Sequence, residues 1–191
     1  DNLNMNKQID RQRHLWGQPS EMIADYTRRG LTETMQSAAG VRLVEIVDPY
    51  SYVRLIKVPI LILNAANDPY WATDALAYYW NALPKKKSVV YIPNEAHKVG
   101  DKMVAGGSLC AFARALAGEH PWPAVGWRRN GVILEVWSSG FSAQKGVLWV
   151  AESDTLDFRE SVWKPVDTIP FHNNAKASTT KAMFHLGKAK R

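Results

Sequence analysis

The stretch Val58-Pro-Ile-Leu-Ile-Leu-Asn64-Ala-Ala-Asn-Asp68 decides the fold, together with a second apolar run, Ser88-Val-Val-Tyr-Ile92, that leads to Pro93-Asn-Glu-Ala-His97. Continuous rather than alternating hydrophobicity predicts strands of a parallel sheet that is covered on both faces. Residues just past the carboxyl ends of such strands face the crevice of the sheet. We therefore expect Asp68 and His97 to lie close together at one sheet edge.

Helical segments are predicted between and after these strands. Thr73 is a candidate N-cap for an apolar stripe that Pro84 ends, formed by Leu76, Tyr79, Trp80 and Leu83. A second stripe, before Gly118, consists of Leu109, Phe112, Ala113 and Leu116. The β-α-β-α order predicts an α/β fold with right-handed crossovers.

Short helices are predicted before the first strand. Asn2–Leu15 is expected to be a surface helix, Ser20 to be an N-cap, and Asp48 to cap the segment Tyr50–Ile56. The run Val41–Val47 is compatible with either a strand or a helix end, because periodicity does not separate the two in seven residues.

After Glu119 the sequence pattern changes to short apolar runs separated by turn residues, which predicts a small antiparallel β appendage. Phe158–Trp163 is a candidate further strand. Four tryptophans are expected to fill a thin core there, with carbohydrate or nucleic-acid contact as the alternative: Trp127, Trp137, Trp149 and Trp163. The predicted domains are residues 1–118, an α/β portion, 119–170, the β-rich appendage, and 171–191, a basic tail.

The net charge of +6 comes mostly from that tail, which has five basic residues and no acid. The body of the chain is near neutral, so nucleic acid is not an expected partner and the tail is expected to be a flexible, solvated end. No apolar run is long enough to predict a membrane span. The start, Asp1–Met5, lacks the features of a signal peptide, and we expect a processed or truncated product.

Asp68 and His97 have the types and the chain order of the acid and base of a Ser-Asp-His triad. Histidine titrates near neutral pH, and a carboxylate fixes its tautomer. The alternative is a turn aspartate and a surface histidine. Tyr70 and Trp71 are expected either to line the substrate pocket or to pack in the core.

The nucleophile of such a triad is not evident in this sequence. It should lie upstream of the acid, after a strand, in a small-x-Ser-x-small elbow. The serines before Asp68 lack that pattern, and three residues after His97 are disfavoured by position: Ser108, Cys110 and Ser142. The sequence has no Gly-rich phosphate loop and no metal-spaced His or Cys pair, so neither a cofactor nor a metal is predicted.

Several motifs resemble the PhoPQ-activated pathogenicity-related protein family: Leu3-Asn-Met5, Asp25-Tyr-Thr-Arg-Arg-Gly-Leu31, Asp48-Pro-Tyr-Ser-Tyr52, Pro59-Ile-Leu-Ile-Leu-Asn-Ala65 with Asp68, Tyr91-Ile-Pro-Asn-Glu-Ala-His97, Leu148-Trp149 and Asp157-Phe-Arg159. The similarity covers most of residues 1–165 and the carboxyl-terminal half to two-thirds of such proteins. It implies that residues 1–118 are the carboxyl-terminal portion of an α/β-hydrolase-like domain, with Asp68 as triad acid and His97 as base, and it implies secretion or a cell-envelope location. The serine and oxyanion hole would lie in a segment that this chain lacks.

The sequence therefore predicts the carboxyl-terminal part of a serine-hydrolase-like protein that acts on an ester or amide of a small molecule or peptide. A non-catalytic binding or signalling module on the same scaffold is the alternative, and nucleic-acid binding through the tail is a weaker one. Expected partners are the missing amino-terminal half and, through exposed strand edges, a second copy of the chain.

Overall fold

The computed structural model describes residues 3–122, 124–139, 143–174 and 179–185. The chain divides into two units, Asp1–Ser108 with Glu152–Val162, and Leu109–Ala151 with Trp163–Arg191. The boundary falls inside a helix, α5 (Lys102–Leu116). The three-part division at residues 118 and 170 stays a prediction.

The first unit begins with helices, which are α1 (Met5–Trp16), α2 (Ala24–Arg28), α3 (Leu31–Thr34) and α4 (Ala38–Val47), with 3₁₀ segments at Glu21–Ile23 and Pro49–Leu55. Ser20 is an N-cap as predicted, since its side chain accepts a hydrogen bond from the backbone N–H of Met22. The ambiguous run Val41–Val47 ends α4 and forms no strand.

Helix α1 is more deeply embedded than a surface helix. Gln8, Ile9 and Gln12 are buried along one of its faces. Ile9 contributes to a core cluster with four other buried residues, Ile23, Met35, Trp71 and Ala75. The prediction of a helix here is confirmed, whereas its description as a surface helix is wrong, because two glutamines are buried with their amides hydrogen-bonded.

Asp48 connects the end of α4 to the start of α1. Its carboxylate accepts hydrogen bonds from the backbone N–H groups of Tyr50 (2.8 Å), Asn4 (3.2 Å) and Met5 (2.6 Å). The predicted capping role is confirmed, and the same side chain also satisfies backbone donors at the beginning of α1, which an isolated helix end leaves unpaired.

Strands β1 (Ile60–Ala65) and β2 (Lys87–Ile92) pair in parallel, in a register that runs from Ile60 opposite Lys87 to Ala65 opposite Ile92. The chain thus combines helices and strands as an α/β prediction requires. The described strands form sheets of two, four and two strands, so the structure does not contain the broad parallel sheet of a hydrolase within these residues.

The prediction of an α-helix between β1 and β2 is wrong. Two 3₁₀ segments, Ala75–Tyr78 and Trp80–Ala82, replace it. Thr73 does not cap them, because its hydroxyl donates to the carbonyl of Ala66 and so belongs to the loop after β1. The apolar stripe nevertheless identifies buried side chains, since Leu76, Tyr79 and Leu83 form a second core cluster with Val53.

Tyr79 makes the stability of this cluster sensitive to alkaline pH. Its side chain is 3% exposed, and burial, with a contribution from nearby Tyr91, raises its pKa to about 12. An unfolded tyrosine has a pKa of about 10, so the unfolded state loses its proton first. The stabilisation that follows from this raised pKa is fully present below pH ~10. It is lost as the pH rises from the pKa of the unfolded state towards that of the folded state, and the free energy of unfolding then falls by up to about 1.4 kcal/mol per pH unit.

Tyr79→Phe is therefore expected to lose less stability than the wild type between neutral pH and pH ~11. Urea unfolding at both pH values measures the difference. Tyr26→Phe is the control, because Tyr26 is 50% exposed. An alkaline loss as large in Tyr79→Phe as in the wild type would contradict the assignment.

The second unit contains antiparallel strands, β3 (Ala124–Asn130), β4 (Ile133–Ser139), β5 (Lys145–Val150), β6 (Lys164–Pro170), β7 (His172–Asn174) and β8 (Thr179–His185). One sheet has the order β3-β4-β8-β7, and β5 pairs with β6. Strands β7 and β8 lie in the range predicted as a flexible tail, of which residues 175–178 and 186–191 lie outside the described residues.

The predicted tryptophan core is only partly present. Gly126 lies under Trp137, and a Cβ atom at Gly126 would collide with the indole ring. Trp127 is 69% exposed and Trp149 is 40% exposed, so neither fills an interior. Among the helices that the structure describes, none has the length and apolar character needed to cross a membrane.

Candidate acid–base site

The loops after β1 and β2 run side by side because strand pairing continues past the strand ends. The N–H of Ala66 donates to the carbonyl of Ile92 (2.9 Å), and the N–H of Asn67 donates to the carbonyl of Glu95 (3.0 Å). These bonds place Asp68 opposite the loop that carries His97.

Asp68 and His97 are in direct contact. Asp68 Oδ2 lies 2.9 Å from His97 Nδ1, across 29 residues of sequence. The other carboxylate oxygen, Oδ1, accepts a hydrogen bond from the N–H of Tyr70 (2.7 Å), which fixes the orientation of the carboxylate. This arrangement leaves Nε2 as the imidazole atom available for proton transfer, and no residue in the described ranges hydrogen-bonds to it.

Tyr70 packs against the imidazole of His97, with ring centroids 4.1 Å apart and an angle of 32° between the planes. The side chain of His97 is 42% exposed and that of Asp68 is 18% exposed. The pair therefore has a shielded acid and an accessible base. Tyr70 contacts the predicted base and lies at the site, whereas Trp71 is buried in the core cluster of α1.

The turn that carries His97 has an unusual backbone. Asn94 and Val99 both have positive φ, 59° and 46°. Asparagine tolerates this region, but a β-branched valine there is a conformational outlier. Glu95 stabilises the turn, because its carboxylate accepts a hydrogen bond from the N–H of Gly100. Backbone strain of this kind tends to cluster at functional sites.

Helix α1 holds the loop that follows Asp68. Gln12 Nε2 donates to the carbonyl of Tyr70 (2.8 Å), and Gln8 Nε2 donates to the carbonyl of Ala75 (3.0 Å). Arg11 forms an ion pair with Asp74, which raises the pKa of Arg11. The sequence analysis did not identify Gln8, Arg11 and Gln12 as supports of the site. Their spacing of three and four residues places them on one face of a helix, and this spacing could have indicated a shared contact surface.

Asn67 anchors the segment Glu152–Val162 to the same loop. Its Nδ2 lies within hydrogen-bond distance of three backbone carbonyls, those of Phe158 (2.8 Å), Arg159 (3.2 Å) and Ser161 (2.6 Å). The carbonyls that a strand would use in a ladder are thus directed at one side chain. The predicted strand over Phe158–Trp163 is wrong for this reason, and the segment is irregular.

The anchored segment has its own internal support. The carboxylate of Asp157 accepts from Arg159 Nε (2.9 Å to Oδ1) and Nη2 (2.5 Å to Oδ2), and this interaction lowers the pKa of Asp157. The guanidinium of Arg159 lies 4.0 Å from the ring centroid of Trp16, at the end of α1. Trp16 of α1, Trp71 of the loop after β1 and Arg159 of this segment line one small cavity together with Asp68.

Asn67→Ala is expected to lower the free energy of unfolding by about 2 kcal/mol, because three partly buried carbonyls lose their donor. Asn67→Asp should lower the free energy of unfolding further, since a carboxylate would face those same carbonyl oxygens. The expected signature is faster tryptic cleavage after Arg159 in the folded protein. Asn81→Ala, at an exposed position, is the control. Cleavage and unfolding unchanged in both Asn67 variants would contradict this role.

None of the serine side chains that the structure describes hydrogen-bonds to His97. Five of their hydroxyls donate to backbone carbonyls: Ser20 to Pro69, Ser37 to Thr34, Ser51 to Val44, Ser108 to Val104 and Ser161 to Glu152. Cys110 is exposed on α5. Ser142 lies outside the described residues.

Comparison with known proteins places the chain in a family. The family model described as PhoPQ-activated pathogenicity-related protein matches residues 1–159. The autocrine proliferation repressor protein A of Dictyostelium discoideum is 27% identical over 167 residues, which are 86% of this chain and 33% of that protein. The chain thus spans about a third of the length of this curated relative. No solved structure matches. The match over most of its length shows that the chain belongs to the PhoPQ-activated pathogenicity-related protein family.

Proposed function

We propose that this chain supplies the acid and the base of a serine-hydrolase triad, within the carboxyl-terminal part of an α/β-hydrolase-like domain. The observation that carries the proposal is the 2.9 Å contact between Asp68 Oδ2 and His97 Nδ1 at the adjoining ends of two parallel strands. Ligands and catalytic groups of open parallel sheets lie at this edge.

The proposed reaction is acyl transfer from an ester or amide to water. His97 Nε2 takes the proton of a serine as the serine attacks the carbonyl, and then returns it to the leaving group. Asp68 holds Nδ1–H and stabilises the imidazolium that forms in between. Tyr70, stacked on the ring, keeps the imidazole in place.

The serine and the oxyanion hole are proposed to come from a segment outside this chain. Two observations support this: no described serine hydrogen-bonds to His97, and the chain covers 33% of its curated relative. Secretion or a cell-envelope location, and an ester or peptide substrate, are part of the same proposal.

The test uses a longer chain in which any sequence encoded upstream of Asp1 is restored. A fluorophosphonate probe, which reacts with activated serines, is expected to label the longer wild-type chain. His97→Ala should abolish labelling, while His14→Ala, on the exposed side of α1, should leave it intact. Absence of label on a folded wild-type protein, or equal labelling of His97→Ala, would reject the hydrolase.

A second candidate is a signalling module without catalysis, favoured by the name of the relative, which describes a repressor of proliferation. Under this proposal the longer chain represses proliferation of the cells that produce it. A double variant, Asp68→Asn with His97→Ala, should then repress as well as the wild type. If the double variant loses both repression and fluorophosphonate labelling, repression of proliferation would depend on the hydrolase activity instead.

A further inference from the structure

A cavity of about 270 Å³ lies among the amino-terminal helices of the first unit. Its walls are mostly aliphatic and aromatic side chains from α1, the end of α3, α4 and the loop after β1, among them Ile9, Met35, Leu43, Val44, Val47 and Trp71. An engineered apolar cavity of ~150 Å³ is large enough to bind benzene. This cavity therefore has room for a two-ring aromatic group or a short aliphatic chain.

Three polar side chains of the lining, those of Asp48, Thr32 and Thr34, are already hydrogen-bonded within the protein, and the remaining polar side chains are the phenol of Tyr26 and the indole of Trp71. Asp48, the one acidic residue in the lining, accepts hydrogen bonds from three backbone N–H groups. The hydroxyl of Thr34 donates to the carbonyl of Gly30, and that of Thr32 donates to Glu33. The lining thus provides apolar contact without an unpaired charge that would select a charged ligand, so a neutral apolar occupant fits it best.

The cavity opens to solvent on one side. Three lining residues are substantially exposed, Leu43 by 41%, Tyr26 by 50% and Val47 by 62%. Met35 and Trp71, by contrast, are each only 9% exposed and form its inner wall. A small molecule can enter between the exposed residues and bury its apolar surface against the inner ones, which is the driving force for binding.

We infer that this cavity binds a neutral apolar small molecule, or the apolar part of one, in the size range of a two-ring aromatic compound. The inference goes beyond the proposed reaction, because His97 does not line the cavity. Trp71 connects the two regions in sequence, three residues after Asp68, so the ligand would contact the loop that carries the acid.

The test is titration with prodan, a neutral probe built on one naphthalene, whose fluorescence rises and shifts to shorter wavelength in apolar surroundings. Saturable binding to one site is expected. Val44→Phe places a ring in the cavity and should weaken binding at least about tenfold, or ~1.4 kcal/mol. Because Val44 is partly buried, circular dichroism must show that the variant is folded.

A matched pair on the surface of α4 does not depend on core packing. Val47→Phe narrows the mouth of the cavity and should weaken binding, whereas Ile46→Phe, at a neighbouring position that is 68% exposed and outside the lining, should not. Equal effects of the two changes, or non-saturable binding, would show adsorption to exposed apolar surface and overturn the inference.

Two further experiments distinguish a small-molecule site from a surface that packs against another protein segment, and from the proposed hydrolase site. If the longer chain is folded but no longer binds the probe, the cavity is a packing surface for another protein segment, and the small-molecule inference fails. His97→Ala is expected to bind the probe as the wild type does, whether or not the longer chain hydrolyses esters. Failure of the ligand site and failure of the hydrolase can therefore be recognised independently.

Discussion

Asp68→Asn is expected to slow ester hydrolysis by the longer chain by about 10⁴-fold in kcat, with little change in KM. The amide would present its NH₂ group to Nδ1, which favours the imidazole tautomer protonated on Nε2. In that tautomer Nε2 cannot accept the proton of the attacking serine. The effect on KM is small because Asp68 acts through His97 and, at 18% side-chain exposure, is shielded behind it.

A chromogenic acetate or butyrate ester provides the measurement. Asp25→Asn is the control, because Asp25 is exposed on α2 and pairs with Arg28 rather than with a histidine. A decrease of less than about tenfold for Asp68→Asn, in a protein that hydrolyses the ester through a serine, would mean that Asp68 does not set the tautomer of the base.

Asp48→Ala is expected to lower the free energy of unfolding by about 3 kcal/mol or more. Asp48 is 5% exposed, and its carboxylate satisfies three backbone N–H groups from two parts of the chain. Alanine leaves all three donors without that acceptor. The substitution should also loosen the beginning of α1, the helix that holds the loop of Asp68.

Urea unfolding of Asp48→Ala, Asp48→Asn and Glu45→Ala measures this prediction. Asp48→Asn should lower the free energy of unfolding less than Asp48→Ala does. Asparagine retains one acceptor oxygen, and Oδ1 of Asp48 alone accepts from both Asn4 and Tyr50. Glu45 is exposed on α4, so its replacement should change stability little. Indistinguishable midpoints for the two alanine variants would show that this carboxylate is not structural.

The two strands and the Asp68–His97 contact were predictable because they depend on short-range patterns. Each strand is a continuous apolar run, and each polar residue follows its strand within a few positions. Parallel pairing then brings the two loops together without further information. The chemical role of the pair stays a prediction, since the geometry is shared by structural Asp–His contacts.

The supports of the site were not predictable from such patterns. Gln8 and Gln12 look like solvent-facing residues of a helix, and their partners are backbone carbonyls of a loop 58 and 67 residues away. Asn67 bonds with carbonyls 91 to 94 residues along the chain. The stripe after Thr73 correctly marked buried residues, but tertiary contacts of the loop replaced the expected α-helix with 3₁₀ turns.

The central claim is that Asp68 and His97 activate a serine that this chain does not contain. The most direct measurement is mass-spectrometric mapping of the fluorophosphonate adduct on the longer chain. We predict a single labelled serine outside residues 1–191, in a small-x-Ser-x-small turn, with the adduct absent from His97→Ala. An adduct on a serine within residues 1–191, or one that forms equally well without His97, would contradict the claim.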